Sequence, residues 1–235
     1  MTIPIKIVSK KEYLKDNPKP NQEEVWDNIA KSVAKRDFFK IREINVVYEF
    51  LKNKKGLVID LGCGAGWNMI LNKNLIYYGV DFSKESIKLT KKRAEIKGIK
   101  TKLSTGDASK LNKSIFKNKM FDYGLFIASL HCIEGKEQRE NALKEFYRVL
   151  KLNAEAIIAV WNSEDERFND VKKKSRDIYM SWKENNITYM RYYYLYNKQE
   201  LIDLLESVGF KILEIYSSRE KDRFSRKNLI VKVKK

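Results

Sequence analysis

Histidine is nearly missing from this chain: His131 is the only one among 235 residues. A single imidazole excludes a multi-histidine metal centre and any chemistry that needs several imidazoles. Cysteine is almost as scarce. Cys63 and Cys132 make neither a disulfide framework nor a zinc cluster, so no metal site is expected. So few thiols fit a reducing compartment, and a cytoplasmic location is the expectation. Three prolines and ten glycines exclude collagen-like and low-complexity classes. No run of about 18 apolar residues is present, so no segment is expected to span a membrane. The opening MTIPIKIVSKKEYLK has no apolar h-region and does not read as a signal peptide.

Positive charge is what the chain has in excess. Lys and Arg number 48 against 31 Asp and Glu, a formal net charge of +17. Hydrophobic residues at 43% still suffice for a sizeable core. Such a balance points to a polyanionic partner, nucleic acid first and an anionic membrane surface second. Lysine as surface filler is the plain alternative. The distribution favours a footprint: residues 84–102 carry eight basic residues against two acidic ones, and residues 217–235 carry eight against two. No long helix with a bulky apolar face supports the membrane option.

Residues 1–20 mix lysine, proline and serine with isolated apolar residues and read as a loose N-terminal arm; residues 21–235 read as one domain. Val25, Ile29 and Val33 stand at helical spacing, predicting a helix over 22–36. A second helix is predicted over 40–53. Strands follow at 57–62, 76–82, 101–108, 121–129 and 154–162, with helices over 83–97 and 136–151. Ser83 suits an N-cap and Gly98 a stop. Asn197 with Glu200 three residues on opens a further helix that Gly209 ends. Two last strands, 211–217 and 228–234, have only a basic loop between them and must be antiparallel. Alternating strands and helices give an α/β fold: a doubly wound, seven-stranded, mostly parallel sheet with the last strand antiparallel. The stretch 163–191 interrupts the alternation and reads as a substrate-side insertion.

The strongest motif is Val58-Ile59-Asp60-Leu61-Gly62-Cys63-Gly64-Ala65-Gly66. A strand feeds a loop with glycine at alternate positions, where backbone can approach a ligand closely and a following helix N-terminus offers free N–H groups. Asp81, 19 residues after Gly62, stands at the end of the second strand, where an acid accepts hydrogen bonds from both ribose hydroxyls. A dinucleotide fingerprint would need glycine where Trp67 stands. Asp60 and Asp107 add carboxylates that repel a polyphosphate but tolerate a sulfonium. S-adenosylmethionine fits this loop better than a dinucleotide.

VIDLGCGAG, GVDFS, GDAS and FDYGLFIASLHCI resemble the successive motifs of class I S-adenosylmethionine-dependent methyltransferases over about residues 56–162. That resemblance implies Gly62 and Gly64 against the methionine part of the cofactor, Asp81 on the ribose and Phe82 beside the adenine. It also implies Asp107 and Ala108 at the adenine amino group, Ile127 and Ala128 at the methyl-transfer mouth, and a strand order of 3-2-1-4-5-7-6. A narrower resemblance covers nearly the whole chain. EVWDNIAKSVAKRD, IASLHCIEGKEQRENALKEFYRVLK, AIIAVWN, RYYYLYNKQELIDLLESVGF and RKNLIVKVKK are similar to the tRNA wobble-uridine carboxymethyl methyltransferases. The resemblance implies methylation of the carboxylate of 5-carboxymethyluridine in tRNA. It also implies a small zinc-binding activator protein as partner, expected at the edge of the third strand near Leu111, Ile115 and Phe116. The group carries a second histidine where Cys132 stands here.

His131 follows the fourth strand and is a candidate for base catalysis or for a polar wall that contacts substrate. Arg191 and Tyr193, within Met190-Arg191-Tyr192-Tyr193-Tyr194-Leu195-Tyr196, are candidates to stack on a base and grip an anion. The alternative there is a half-buried strand covered by tyrosine rings. Cys63 reads as small-residue filler and Cys132 as packing. Two rival functions stand beside tRNA methylation: a small-metabolite methyltransferase, and an idle scaffold that binds RNA or a partner.

Overall fold

The computed structural model describes residues 5–35, 45–218 and 228–235; of Asn45 it describes the backbone alone. The start of the helix expected over 40–53, and the basic loop before the last strand, lie outside these residues. The elements run β1 (Ile7–Ser9), α1 (Lys10–Asp16), α2 (Gln22–Lys35), α3 (Asn45–Leu51), β2 (Gly56–Leu61), β3 (Leu75–Asp81), α4 (Lys84–Lys97), β4 (Thr101–Thr105) and β5 (Phe121–Ile127). They continue α5 (Lys136–Val149), β6 (Leu150–Val160), α6 (Asn169–Lys172), β7 (Asp177–Glu184), β8 (Ile187–Tyr194), α7 (Lys198–Val208), β9 (Lys211–Ser217) and β10 (Leu229–Lys234).

The main sheet has the order β4-β3-β2-β5-β6-β10-β9. β4, β3, β2, β5 and β6 are parallel, and β10 runs antiparallel to both β6 and β9. This is the order that the family resemblance implied. In β2, Ile59 and Leu61 face one core, with Phe126, Phe146 and Leu205, while Val58 faces the other, with Val47, Tyr77 and Ile230. Both faces are covered, which is why the central strands read as continuous apolar runs. Ser83 caps α4 by accepting from the Ser86 N–H, and Asn197 caps α7 by accepting from the Glu200 N–H.

Three expectations are corrected. The arm over residues 1–20 is not loose where it is described: β1 pairs antiparallel with β7, and Ser9 caps α1. Its isolated apolar residues face a partner strand far away in sequence, which no local pattern discloses. The insertion expected over 163–191 ends later: it supplies β7 and β8 of a second sheet, β1-β7-β8, and β8 runs on to Tyr194. Asn185 and Asn186, at φ 46° and 65°, make its two-residue hairpin turn. Finally, no helix follows the glycine loop. Residues 62–74 cross to β3 through turns alone, held by Asn72 Nδ2, which donates to the carbonyls of Leu51, Lys52 and Lys54. Thirteen residues barely complete a parallel crossover, leaving no length for a packed helix.

The small sheet is fixed over the carboxyl ends of the main one. Tyr196 N–H donates to the Trp161 carbonyl and Ser163 N–H to the Tyr196 carbonyl, joining the ends of β6 and β8. From the other side, α2 packs on the hairpin, with Val25 and Ile29 clustered with Trp182 of β7 and Tyr189 of β8. β4 does form a sheet edge. Of the apolar residues expected beside it, Leu111 and Phe116 are buried in the core and only Ile115 is exposed, because the 106–120 connection folds back under β3 and β5 and needs an apolar underside.

Candidate active site

A cavity of about 380 Å³ opens between the carboxyl ends of β2–β6, the small sheet and α2, within the usual size range for small-molecule sites. Gly62, Gly64, Asp81, Phe82, Asp107, Ala108, Ile127, His131, Arg191 and Tyr193, all singled out in the sequence, line it. Asp60 does not. It lies buried beneath the loop, where Asn68 Nδ2 donates to both of its carboxylate oxygens at 3.0 and 3.2 Å.

The loop is shaped by two glycines that no other residue could replace without strain. Gly62, at φ 64°, lies so close to Ser129 that a Cβ would sit 2.3 Å from its side chain. Ser129 Oγ in turn donates to the Leu61 carbonyl at 2.8 Å, tying the end of β5 to the end of β2. A Cβ on Gly64, at φ 53°, would meet nothing within 4 Å. There the bare backbone faces open space. Beyond the loop, Trp67 packs under the Arg93 guanidinium, whose Nε donates to the Ala65 carbonyl at 2.9 Å.

Asp81 ends β3 with its carboxylate turned back on the loop. Its Oδ2 accepts from the Gly64 N–H at 2.8 Å and its Oδ1 from the Ser83 N–H at 2.9 Å. Burial pushes the carboxyl up to about 6, against the lowering by those two donors, with the Asp27 carboxylate adding to the rise. Each oxygen retains a lone pair for a hydroxyl donor. A hydroxyl-bearing ligand is therefore what this carboxylate suits. The bare Gly64 backbone and the Asp81 acceptors together fit the ribose and amino-acid ends of S-adenosylmethionine. Asp107, exposed at the end of β4, accepts from Ser109 N–H and Oγ at 2.7 and 2.8 Å.

The opposite wall is aromatic. His131, in a 3₁₀ turn after β5, is 1% exposed. Its ring stacks on Trp161 with centroids 5.0 Å apart, and Trp161 stacks on Tyr193 at 4.0 Å. The Trp161 N–H donates to His131 Nδ1 at 3.3 Å. Burial, and then the positive charge of Arg167, push the imidazole down to about 3. His131 is thus a neutral ring with one nitrogen already occupied. Burial also raises the thiols of Cys63 and Cys132 and the phenol of Tyr193 above their ordinary ranges. Ala128, between β5 and His131, adopts φ 54°, a strained conformation at the cavity mouth.

Trp26, Trp161, Trp182, Arg167 and Ser129 were not picked out as site residues. Trp26 and Trp161 stand within EVWDNIA and AIIAVWN, motifs visible in the sequence without a role attached. Trp182 carries no local signal, because the strand that presents it pairs across the N-terminus.

The strand order, with a glycine loop and an acid at the ends of its first two parallel strands, defines a class I methyltransferase, whose methyl donor is S-adenosylmethionine. A methyltransferase-domain profile matches residues 52–208, more than half of the chain, and the chain belongs to that family. Among curated relatives, the tRNA (carboxymethyluridine(34)-5-O)-methyltransferase of Schizosaccharomyces pombe is 27% identical over 215 residues, covering 81% of this chain and 89% of that protein. The Xenopus tropicalis protein of the same activity name is 33% identical over 113 residues, covering 48% of this chain and 17% of that one. Solved structures share the fold. The CcbJ methyltransferase of Streptomyces caelestis has a TM-score of 0.70 at 13% identity, over 91% of this chain and 98% of that one. An S-adenosylmethionine-dependent methyltransferase of Methanosarcina mazei has a TM-score of 0.66 at 19% identity, over 81% and 96%.

Proposed function

We propose that this chain methylates tRNA, placing the methyl group of S-adenosylmethionine on the carboxylate of 5-carboxymethyluridine at the wobble position. S-adenosylmethionine supplies, when bound, a methyl group on a positively charged sulfur. In this reading Asp81 holds the ribose and Phe82 lies beside the adenine. Asp107 and Ala108 meet the adenine amino group, Gly62 and Gly64 pass the methionine part, and Ile127 borders the methyl. His131, Arg191 and Tyr193 form the wall against which the nucleotide lies.

The observation that carries the reading is the state of His131. A hydroxyl, or a ring nitrogen that carries hydrogen, must lose a proton to act as nucleophile, and a buried imidazole held near 3 with Nδ1 occupied is a poor base at neutral pH. A carboxylate titrates near 4 and arrives already ionised. Its oxygen bonds to the methyl carbon, the carbon–sulfur bond breaks with its electrons left on sulfur, and no proton moves. The protein's work is alignment and exclusion of water. The relatives named above and the charge of +17 support RNA as the carrier of that carboxylate.

Mass spectrometry of nucleosides from tRNA incubated with protein and cofactor tests this. A mass gain of one CH2 on 5-carboxymethyluridine is the expected result; methylation of another nucleoside, or of small metabolites only, overturns it. The same proposal places a small zinc-binding activator on the β4 edge, where backbone groups invite an added strand. Full activity of the purified monomer, with no gain on co-expression, would exclude that partner.

A further inference from the structure

The cavity contains a buried cation with no paired anion among the described residues. Arg191, on β8, is 8% exposed. Its guanidinium lies over the rings of Trp182, Tyr193 and Trp26, at 4.7, 5.4 and 5.8 Å from their centroids. One terminal nitrogen reaches the Ser181 carbonyl at 3.5 Å, a long contact, and Nε has no hydrogen-bond partner among the described residues. No described carboxylate pairs with it, whereas Arg167 on the same wall is held by Asp165. Aromatic faces attract a cation but cannot accept its five N–H donors. A guanidinium left so is costly unless something enters the cavity to satisfy it.

A second donor stands beside it. The indole Nε1 of Trp26 is buried without a partner among the described residues, and Trp26 borders the same cavity. We infer that Arg191 and the Trp26 indole N–H clasp the carboxylate of the incoming substrate and set which of its oxygens faces the methyl. This deepens the proposed function and rests on its carboxylate-bearing substrate. Tyr193 links the clasp to the base-stacking wall, since its ring lies under Arg191 and stacks on Trp161. A flat ring with a short acidic arm matches that layout: the ring against Tyr193 and Trp161, the arm on Arg191.

A carboxylate also occurs on the amino-acid end of the cofactor. Two facts favour the substrate. Arg191 belongs to the small sheet inserted after β6, not to the β2–β3 half that carries the glycine loop and Asp81. It also shares its wall with the stacked rings, not with the loop.

The test uses the whole chain saturated with S-adenosylhomocysteine. Tryptophan fluorescence is titrated, at constant ionic strength, with phenylacetate and with its neutral isostere phenylacetamide. The same is done with 5-carboxymethyluridine and 5-carbamoylmethyluridine. The wild type should bind each acid about tenfold or more tightly than its amide, the scale of a charge-assisted hydrogen bond. Arg191→Gln should abolish the preference and Arg191→Lys should retain part of it, with S-adenosylhomocysteine affinity unchanged in both by calorimetry. An acid preference that survives in Arg191→Gln, or is absent from the wild type, overturns the clasp. A parallel loss of S-adenosylhomocysteine affinity in Arg191→Lys and Arg191→Gln overturns it too, by assigning Arg191 to the cofactor. A preference for phenylacetate without one for 5-carboxymethyluridine leaves the clasp standing and removes the wobble-uridine substrate instead.

Discussion

Asp81 is asked to be an acceptor in a place that penalises its charge. Burial raises its carboxyl to about 6, above the ordinary value near 3.9. A raised acid favours the folded state fully below the unfolded value and loses that contribution as pH rises through about 6. Free of cofactor, the chain should therefore gain stability from Asp81→Asn at pH 7, by at most about 3 kcal/mol, with the gain vanishing below about pH 4. Under the proposed ribose role, cofactor binding runs the other way, because the ribose hydroxyls would donate to the carboxylate. Affinity should fall as pH drops through about 6, and Asp81→Ala should weaken it by about 2–4 kcal/mol at pH 7. Calorimetry against pH and denaturant titration of both variants check these signs; unchanged affinity in a folded variant removes the ribose role. His131 makes a complementary prediction. With its imidazole near 3, single-turnover rates at saturating cofactor should be flat from about pH 6 to 9. His131→Gln should keep kcat within about tenfold while KM rises. A rising limb near 6.5 that disappears in the variant would reinstate a general base.

At the scale of elements, the site is closed by pieces distant in the chain. Asp27 on α2 accepts from Ser83 Oγ at 2.8 Å and from the Glu85 N–H at 2.9 Å, so the helix that covers the cavity is tied to the start of α4, next to Asp81. Gln22 opens α2 and bridges to β8: its Nε2 donates to the Met190 carbonyl at 3.1 Å, and its Oε1 accepts from the Tyr192 N–H at 2.8 Å. These two bonds flank Arg191 in sequence and hold its strand against the helix that carries Trp26. Gln22→Ala should cost about 1–3 kcal/mol of stability and loosen the aromatic wall, read by denaturant unfolding and by increased exchange of the Tyr192 amide, the N–H that Gln22 accepts. Exchange unchanged at that amide would show that the side chain does not hold β8. What could be read from the sequence follows from this arrangement. Caps such as Ser83 and Asn197, the apolar strand runs and the glycine loop are local signals, and each is where the pattern places it. The pairing of β1 with β7, and the turn-only crossover over residues 62–74, are set by distant partners and by length. The hairpin had one local signal, Asn185-Asn186 between two aromatic runs, a pair suited to positive φ.

Across the whole molecule the charge divides into structural and free portions. Lys235, counted in the C-terminal basic block, is occupied: its ammonium donates to the carbonyls of Tyr147 and Leu150 at 2.6 and 2.9 Å, at the end of α5, where a cation also suits the helix dipole. Lys232 pairs with Glu214 at 3.1 Å. Arg93 of the other block lies against Trp67. Lys88 pairs with Glu85. The remaining basic residues of that block, Lys84, Lys91, Lys92, Lys97, Lys100 and Lys102, are all exposed along α4 and β4. Ser83, the cap of α4, is two residues past Asp81, so this solvent face starts beside the Asp81 end of the cavity. That proximity makes it the surface an RNA would cross while placing one nucleotide inside. If so, tRNA affinity should fall with salt by roughly 0.7–0.9 log units per phosphate contact per decade of salt. Reversing Lys91 and Lys92 together to Glu should remove two contacts, flattening the slope by about 1.4–1.8. S-adenosylhomocysteine affinity should stay put, since neither side chain borders the cavity. Filter binding over a salt series, with wild type and double variant, reads the slopes directly. A wild-type affinity indifferent to salt would mean that these lysines are only a soluble coat, and would favour a small metabolite as the carrier of the carboxylate.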